Sequence, residues 1–491
     1  MNESRSAAAS QDGKLQANAL GVPGVVFLVL AAVAPLTGVI VVASMAIALG
    51  NGGGMVVSFL VVAAVLLLFA VGYAQMSKKL VNAGGFYAFV VKGLGPIGGL
   101  VAGFIATMGY NFFVAGAIGT SGFFMQIIIA DLFGLDIHWF VWGLVSLVVA
   151  FLFAQRGIDF SAKVLGVAMV LEILILMVFD FSVLFQDGFT FEVFSPKVIM
   201  TGSFGVGLLL ASTGFLGFEA TALFGEESKN PLKTIPRATY IAITTIGLLM
   251  AFTTWAVVSA TGAFQAQEVA LEHLESGDLI FSLSEQYLGG FLTHTMMILL
   301  LVSLFAALLA FHNAATRYLF ALGRARVLPR ALGATLPNGV PRTSGIINAV
   351  FAGAVAGAFA LSGLDPILSL VPTMIGFGTL CILVLQLMAA LSIVVYFRKE
   401  SDPRWLSTFV APGLGFLGLL LIVVMAIWNF PLLAGSDALA VSLLPILLLV
   451  ALVGGIAYGA HLRSKKPEVF AGLSRDLEKF EEEHDRADLR G

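Results

Sequence analysis

Residues 203–224 read SFGVGLLLASTGFLGFEATALF, and this stretch decides the fold. It is long and apolar enough to cross a bilayer, which takes about 20 mostly apolar residues. Near its middle lies Ser212-Thr213-Gly214-Phe215-Leu216-Gly217-Phe218-Glu219, with two glycines and an acid at membrane depth. Irregular backbone persists at that depth only where it is buried in protein or lines a cavity. The stretch therefore predicts a membrane helix that is interrupted beside a cavity.

A second apolar segment, 22–49, carries a matching interruption at Ala34-Pro35-Leu36-Thr37-Gly38. Pro35 removes a helical hydrogen bond, and Gly38 makes an irregular turn cheap. Interrupted helices at corresponding positions of two halves of a chain indicate the binding site of a transporter. We expect both interruptions to face each other across one cavity.

Composition agrees with a membrane protein. Of the 491 residues, 59% are hydrophobic and 11% are charged, whereas a soluble domain carries about 25% charged residues. About twelve apolar segments are long enough to cross a bilayer, and they are named spans 1 to 12 in chain order. They lie near 22–49, 55–75, 97–130, 139–156, 159–185, 203–224, 237–262, 290–322, 343–362, 367–397, 409–430 and 437–461. The sequence predicts an all-α integral membrane protein.

The loops differ in charge on the two sides of the predicted membrane. One set is basic, and the other is acidic with Lys197 as its one basic residue. Because Lys and Arg resist translocation, the basic side is predicted to be cytoplasmic. That side includes both termini, with residues 1–20 as a disordered arm and 462–491 as a tail. The expected location is the plasma (inner) membrane, with the lipid bilayer around residues 21–461.

Several ionisable residues lie within the spans. Glu219 follows the interruption of span 6, and Glu172 lies near the middle of span 5. A charged group at the bilayer centre costs at least about 2.5 kcal/mol, so each acid needs an explanation. Either acid can serve as a proton carrier; the alternatives are that Glu219 fixes the unwound backbone and that Glu172 pairs with a polar group on a neighbouring helix. Asp180 is interpreted as an anchor near a span end, and Arg317 either reaches the membrane surface or pairs with an acid.

Enzyme chemistry has little support in this sequence. It contains no Gly-rich phosphate loop, no Cys/His metal cluster and no Ser/His/Asp constellation, and its one cysteine is Cys381. We expect no enzyme activity, no cofactor, no metal and no nucleic-acid partner. A channel is the stronger competitor, but a channel does not need two matched interruptions with an acid beside one of them.

The residues around the span 6 interruption resemble those of a known family. Gly214-Phe-Leu-Gly-Phe-Glu-Ala220 and Gly225-Glu-Glu-Ser-Lys-Asn-Pro-Leu-Lys-Thr-Ile-Pro-Arg-Ala238 are similar to the signature of the amino acid–polyamine–organocation (APC) permeases. Arg317-Tyr-Leu-Phe-Ala-Leu-Gly-Arg-Ala-Arg-Val-Leu-Pro329 is a weaker match at the end of span 8. The resemblance covers roughly residues 20–460.

The resemblance implies a LeuT-like fold. Two inverted repeats, about 22–185 and 203–397, are followed by added helices at 409–461. By position, Glu226 and Glu227 fall on the family's acid pair at the cytoplasmic end of span 6, where they have either a gating role or a loop-bracing role. The candidate proton-coupling residues are Glu219 and Glu172. The implied substrate-binding residues are Ala34, Pro35, Thr37, Gly38, Tyr110, Asn111, Thr213, Gly214, Phe215, Leu216, Phe218 and Glu219. The chain departs from the family's Gly-Ser-Gly in span 1, which weakens the expectation that half-helix N-termini capture a substrate carboxylate.

The resulting prediction is a secondary transporter for amino acids or small amines, working by alternating access and driven by protons. A cationic amine would be attracted to Glu219 and to the aromatic faces of Phe215, Phe218 and Tyr110. The alternative within the class is a polyamine or amine carrier or exchanger that recognises no carboxylate. Outside the class, a channel or a nutrient receptor with a transporter fold stays open.

Overall fold

The structure, a computed structural model, describes residues 20–80, 85–156, 158–225, 227–433 and 439–473. Within these ranges the fold is built from helices, and the β-type pairing is an isolated bridge between Leu20 and Ser228. The predicted N-terminal arm up to residue 19, the end of the C-terminal tail and Glu226 lie outside the described residues.

Each predicted span corresponds to a helix or to a series of helical pieces. Spans 1 and 6 are divided, and their pieces are described below. The helices of the other spans are Met55–Ser77, Phe86–Phe133 (kinked at Gly95), Trp139–Ala154, Ile158–Gln186, Pro231–Thr261, Gly290–Arg324, Arg342–Leu361 and Ile446–Lys465. Spans 10 and 11 each open with a short π-helical turn, giving Pro366–Leu370 before Val371–Lys399 and Leu406–Val410 before Ala411–Trp428.

The all-helical membrane fold is confirmed. In the described part of the chain, 11 helices are long and apolar enough to cross a membrane. Span 4, Trp139–Ala154, has 16 residues, which falls short of the roughly 20 that a bilayer requires. The count of twelve spans therefore stays a prediction. Gly95, at φ 87° and ψ 175°, kinks the helix Phe86–Phe133 just ahead of Pro96 and of the predicted span 3.

Both predicted interruptions are confirmed. In span 1 the helix Val22–Val33 ends at Ala34, a non-glycine residue at φ 50° and ψ 79°, and the chain resumes as Pro35–Thr37. It then continues as the π-helical turn Gly38–Ala43 and the helix Ser44–Leu49. In span 6 the helix Phe204–Thr213 ends in turns, and Gly217 at φ 117° precedes the 3₁₀ helix Phe218–Phe224. A left-handed φ is costly for alanine, so the surrounding fold holds Ala34 in place.

The arrangement places the interrupted spans inside the bundle. Spans 3 and 10 pack along each other. The pieces of span 1 pack against spans 5, 7 and 8, and the pieces of span 6 pack against spans 2, 7 and 11. In contrast, most of the last helix, Ile446–Lys465, is not buried inside the protein. Large apolar side chains such as Leu361 and Phe291 are exposed. In a membrane protein such surfaces face lipid, since lipid tails are as apolar as leucine.

Two predictions need correction. Leu20, assigned to the disordered arm, is 1% exposed and exchanges backbone hydrogen bonds with Glu227 and Lys229 at 2.9 and 2.7 Å. Asp180, interpreted as an anchor near the membrane surface, is instead 0% exposed. Its Oδ2 accepts a hydrogen bond from Thr253 at 2.9 Å. The helix continues to Gln186, so Asp180 faces the packed interior of the bundle and not the surface.

Candidate functional site

One cavity lies between the two interruptions and contains about 570 Å³ of space not occupied by atoms, counting its mouth. Its described lining comes from spans 1, 3, 6, 8 and 10. The residues are Val33, Ala34, Thr37, Gly38, Val41, Val42, Phe113, Ala117, Thr120, Thr213, Gly214, Leu216, Leu304, Ala307, Phe311 and Ile375.

The cavity gathers half of the predicted substrate-binding residues. Those that line it are Ala34, Thr37, Gly38, Thr213, Gly214 and Leu216. Those that lie outside the described lining are Pro35, Tyr110, Asn111, Phe215, Phe218 and Glu219. Of the second group, Phe218 and Glu219 follow the turn at Gly217 and are fully buried in packed protein.

The cavity wall is mostly aliphatic and aromatic. Phe113 and Phe311 stack with ring centroids 4.2 Å apart and form one part of it. The side-chain polar groups of the described lining are the hydroxyls of Thr37, Thr120 and Thr213. Thr120 donates to the carbonyl of Gly116 at 3.0 Å, whereas Oγ1 of Thr213 is buried and has no hydrogen-bond partner among the described residues.

Met250 of span 7 supports both interruptions from behind. A Cβ placed on Gly38 would lie 3.3 Å from its sulfur, and a Cβ on Gly214 would lie 3.2 Å from its Cε. The Cβ on Gly214 would also lie 3.2 Å from the ring of Phe59. The two glycines therefore present backbone to the cavity and their Cα faces to Met250. Close backbone approach explains why glycine occupies both positions.

Glu172 closes the interruption of span 1. Its Oε2 accepts the backbone N–H of Leu36 at 3.2 Å and the hydroxyl of Ser303 at 2.8 Å. Ser303 also accepts from the N–H and the hydroxyl of Thr37, at 3.3 and 3.1 Å. A carboxylate at the N-terminus of a half-helix is favoured by its unpaired N–H groups and its dipole. Protein groups thus already hold the N–H donors that were expected to meet a substrate carboxylate.

Glu219 closes the interruption of span 6 in a similar way. Its Oε2 accepts the N–H of Gly217 at 2.9 Å, and its Oε1 accepts the hydroxyl of Tyr110 at 2.7 Å. The amide of Gln386 lies 3.4 Å from Oε2. Glu219 is 0% exposed. The carboxylate therefore fixes the unwound backbone and joins spans 3, 6 and 10.

Asn111 belongs to a polar chain away from the cavity lining. Its Nδ2 donates to the carbonyl of Thr107 at 2.6 Å, and its Oδ1 accepts from Asn348 at 2.9 Å. Oδ1 of Asn348 lies 2.6 Å from Nδ1 of His312. The chain links spans 3, 9 and 8. Tyr110, the preceding residue, stacks on Tyr318 with centroids 5.2 Å apart.

Glu227 pairs with Arg317 at the basic end of the bundle. The guanidinium donates to both carboxylate oxygens at 2.8 to 3.0 Å, and its Nη1 donates to the carbonyl of Asn313 at 3.2 Å. Both side chains are at most 5% exposed. Of the two possibilities left open for Arg317, pairing with an acid is confirmed. Its predicted gating partner Glu226 lies outside the described residues.

Several lining residues were missed from the sequence. Phe113, Ala117 and Thr120 recur at helical spacing on span 3, and Leu304, Ala307 and Phe311 do so on span 8. Residues three or four apart share one helix face, so the spacing carried a signal. It did not distinguish this face from those that pack against protein or lipid, since other faces of these spans are apolar too.

A multi-pass helical protein with two interrupted helices around one apolar cavity belongs to the class of membrane transporters. The sequence profile described as "Amino acid permease" matches residues 20–454, so the chain belongs to the amino acid permease family and is a transporter and not an enzyme. It is 26% identical over 404 residues to the branched-chain amino acid permease BcaP of Lactococcus lactis, covering 76% of this chain and 82% of that one. It is 24% identical over 401 residues to BcaP of Bacillus subtilis, covering 77% and 82%.

Proposed function

We propose that the protein accumulates uncharged aliphatic amino acids by alternating access, with the substrate held in the cavity between the two interruptions. The observation that carries this proposal is the cavity lining, which combines an apolar wall, threonine hydroxyls and the backbone of two broken helices. Such a lining offers a separate partner to the side chain, the ammonium and the carboxylate of an amino acid. The names of the two relatives support a branched-chain substrate.

The ammonium group meets the carbonyl end of the helix Val22–Val33. Pro35 has no N–H, and the N–H groups of Leu36 and Thr37 donate to Glu172 and Ser303. The carbonyls at residues 31–33 of this described stretch therefore lose their usual helical donors. They form the negative end of the helix dipole, which attracts a cation. Val33 and Ala34 lie in the cavity lining, next to this end.

The carboxylate group is placed by the hydroxyl of Thr213. Oγ1 of Thr213 lacks a partner within the described structure, and a buried hydroxyl in that state gains from a ligand that accepts its hydrogen. The hydroxyls of Thr37 and Thr120 already donate to Ser303 and to the carbonyl of Gly116. This assignment differs from capture at the half-helix N-terminus, where Glu172 already sits.

The substrate side chain lies against Val41, Leu304, Ile375 and the stacked pair Phe113–Phe311. None of the described lining residues is ionisable. A polyamine would bring two or more charges into this cavity without a counter-charge, which is strongly unfavourable. The lining thus supports an aliphatic amino acid over the amine alternative.

We assign proton coupling to Glu172 ahead of Glu219. Glu172 contacts Ser303, which in turn contacts the cavity residue Thr37, so its protonation state is transmitted to the substrate site through two hydrogen bonds. Glu219 is held by three donors and lies outside the described lining. Its role in this proposal is to fix the span 6 backbone.

The two carboxylate clusters also support the inverted repeat. If spans 1–5 and 6–10 are equivalent, then span 1 corresponds to span 6, span 3 to span 8, and span 5 to span 10. The Glu172 cluster joins spans 1, 5 and 8, and the Glu219 cluster joins spans 6, 10 and 3. Each cluster therefore uses the counterparts of the other cluster's three spans, as a two-fold relation between repeats requires.

Alternating access requires a gate at each end of the site. In this proposal the Glu227–Arg317 pair closes the basic end, because it ties the segment after span 6 to span 8. The charge asymmetry of the loops assigns that end to the cytoplasm of a plasma-membrane protein.

The test is counterflow with the purified protein in liposomes. Liposomes preloaded with unlabelled leucine should take up labelled leucine faster than empty ones, and valine and isoleucine should substitute for leucine inside. Putrescine should not. Trans-stimulation by putrescine but not leucine would contradict the substrate class, and its absence with every amino acid would contradict a carrier.

A further inference from the structure

A second cavity lies beside the Glu227–Arg317 pair. It contains about 390 Å³ not occupied by atoms, counting its mouth. It is bounded by the end of span 4, by one face of span 8, and by residues 338–341 with the start of span 9. Its wall is polar, unlike that of the central cavity, and both Arg317 and Glu227 line it.

Four side-chain polar atoms in this wall have no hydrogen-bond partner among the described residues. They are Oε1 of Gln155, Nε2 of His312, Nδ2 of Asn313 and Oγ1 of Thr316. His312, Asn313 and Thr316 are each more than nine-tenths buried, at 1%, 6% and 6% exposed. Buried polar groups in native proteins are almost always paired. Four unpaired atoms around one cavity therefore indicate an occupant that forms hydrogen bonds.

The hydrogen-bond chain from span 3 determines what His312 offers. The carbonyl of Thr107 can only accept, so Asn111 donates to it through Nδ2 and accepts from Asn348 through Oδ1. Asn348 then presents its Oδ1 to His312, whose Nδ1 must donate. In the neutral imidazole Nε2 is consequently an acceptor. The cavity wall therefore has three acceptor atoms, which are Nε2 of His312, Oε1 of Gln155 and Oγ1 of Thr316. These acceptors fit an occupant rich in N–H groups.

The guanidinium of Arg317 is such a group and lies at the edge of this cavity. It has five N–H donors and no acceptor. Asn313 is one helical turn before it and Thr316 is adjacent, and helix side chains lean toward the N-terminus. Nη1 already lies 3.2 Å from the carbonyl of Asn313. Arg317 and the three acceptor residues thus line the same cavity.

We propose that this cavity is a guanidinium site that receives Arg317 when Glu227 withdraws. The inference rests on the proposed gating role of Glu227. Opening the basic end separates the segment after span 6 from span 8, and a buried guanidinium without a partner is strongly unfavourable. The acceptors of Gln155, His312 and Thr316 replace the carboxylate, so Arg317 has two sites and the open state is not penalised by an unpaired charge.

The test is a double-mutant cycle on the thermal unfolding of the purified full-length protein, using Glu227→Gln and Gly345→Ala. A Cβ on Gly345 would lie 3.5 Å from Nε2 of His312 and 3.6 Å from Oγ1 of Thr316, so the methyl group takes up the space between the acceptors without a clash. Gly345→Ala alone should change Tm little. In the Glu227→Gln background, where Arg317 needs the cavity, it should lower Tm by about 1–3 °C more than the sum of the single changes.

Gly353→Ala is the matched control, because it lies on the same helix and its Cβ would meet Leu147 at an ordinary 3.5 Å. Its effect should add to that of Glu227→Gln. Thr316→Val removes one acceptor and keeps the shape of the side chain. Combined with Glu227→Gln, it should also lower Tm by more than the sum of the two single changes. Repeating the cycle with Arg317→Gln should abolish the coupling. Additive Tm changes for both cavity variants, as expected if the cavity holds only water, would overturn the proposal.

These outcomes do not depend on transport. If Glu227→Gln shows wild-type counterflow while the Tm cycle is coupled, the gating role fails and the guanidinium site stands. If counterflow is altered while the cycle is additive, the gate stands and the site fails.

Discussion

The backbone N–H of Leu36 donates to the carboxylate of Glu172 at 3.2 Å, across 136 residues of sequence. Leu36 directly follows the proline that ends the helical pattern of span 1, and Glu172 is 1% exposed near the middle of span 5. The contact supplies a partner for a backbone donor that the interruption leaves unpaired. Through Ser303 it also reaches Thr37 in the cavity lining. A change in the charge of Glu172 is therefore felt at the proposed substrate site.

Glu172→Gln should uncouple transport from protons. The amide keeps the size of the side chain and its acceptor for Leu36, but it cannot ionise. In liposomes with an inward proton gradient, leucine accumulation should fall at least tenfold while leucine exchange persists. Glu268→Gln, an exposed change on the acidic side, should accumulate leucine normally. Wild-type accumulation by the Glu172 variant would rule out this residue as the coupling site.

Substitutions of Glu219 should affect the stability of the protein more than they affect proton coupling. Glu219 holds the N–H of Gly217 and the hydroxyl of Tyr110, and Glu219→Ala leaves both donors buried without an acceptor. Each unsatisfied group costs about 1–3 kcal/mol, so the alanine variant should unfold at a clearly lower temperature. Glu219→Gln should be milder and should retain the pH profile of uptake. A flattened pH profile would transfer the coupling role from Glu172 to Glu219.

Ala307→Leu should change which amino acids are accepted. Ala307 lines the central cavity, and the larger side chain takes up space that a branched substrate needs. The apparent affinity for leucine should fall about tenfold, equivalent to about 1.4 kcal/mol, with a smaller loss for alanine. Ala457→Leu on the exposed face of the last helix is the control and should leave both affinities unchanged. Equal losses for leucine and alanine would argue against a size limit at this position.

Asp180→Asn should be tolerated. Thr253 donates to Oδ2 of Asp180, and Oδ1 has no partner among the described residues. An amide retains an acceptor for Thr253 and removes a buried group whose charge has no basic partner in the described structure. Buried charges without a partner are costly, so Tm should stay the same or rise. A fall in Tm together with lost transport would show instead that the ionisable group is required.

The two interruptions could be predicted from sequence because their causes are local. Pro35 cannot donate a hydrogen bond, and Gly217 adopts a φ of 117° that other residues avoid. The orientation of side chains around the interruptions could not be predicted. Helical spacing assigns faces only while the helix continues, and Thr213 and Glu219 are separated by the turns at 214–217. Thr213 consequently lines the cavity, whereas Glu219 points to Tyr110.

The partners of the buried charged residues could not be predicted from the sequence either. Glu172 meets Ser303 at a separation of 131 residues, and Glu227 meets Arg317 at 90. Such pairs depend on how the spans pack, which apolar helices of similar composition do not reveal. The sequence predicted a substrate among amino acids or small amines. Our proposal narrows this to an aliphatic amino acid, because the cavity wall is apolar and Glu219 lies outside the described lining.

The central claim is that the cavity between the two interruptions binds an aliphatic amino acid. It is tested most directly by calorimetric titration of leucine into the purified wild-type protein and into Ala117→Trp, which fills the cavity from span 3. Gly214→Trp is less suitable, since its side chain would start toward Met250 and Phe59. Wild-type protein and the lipid-facing control Ala457→Trp should bind leucine saturably, and Ala117→Trp should not, with Tm values that agree within a few degrees. Leucine binding of equal affinity in Ala117→Trp would contradict the account.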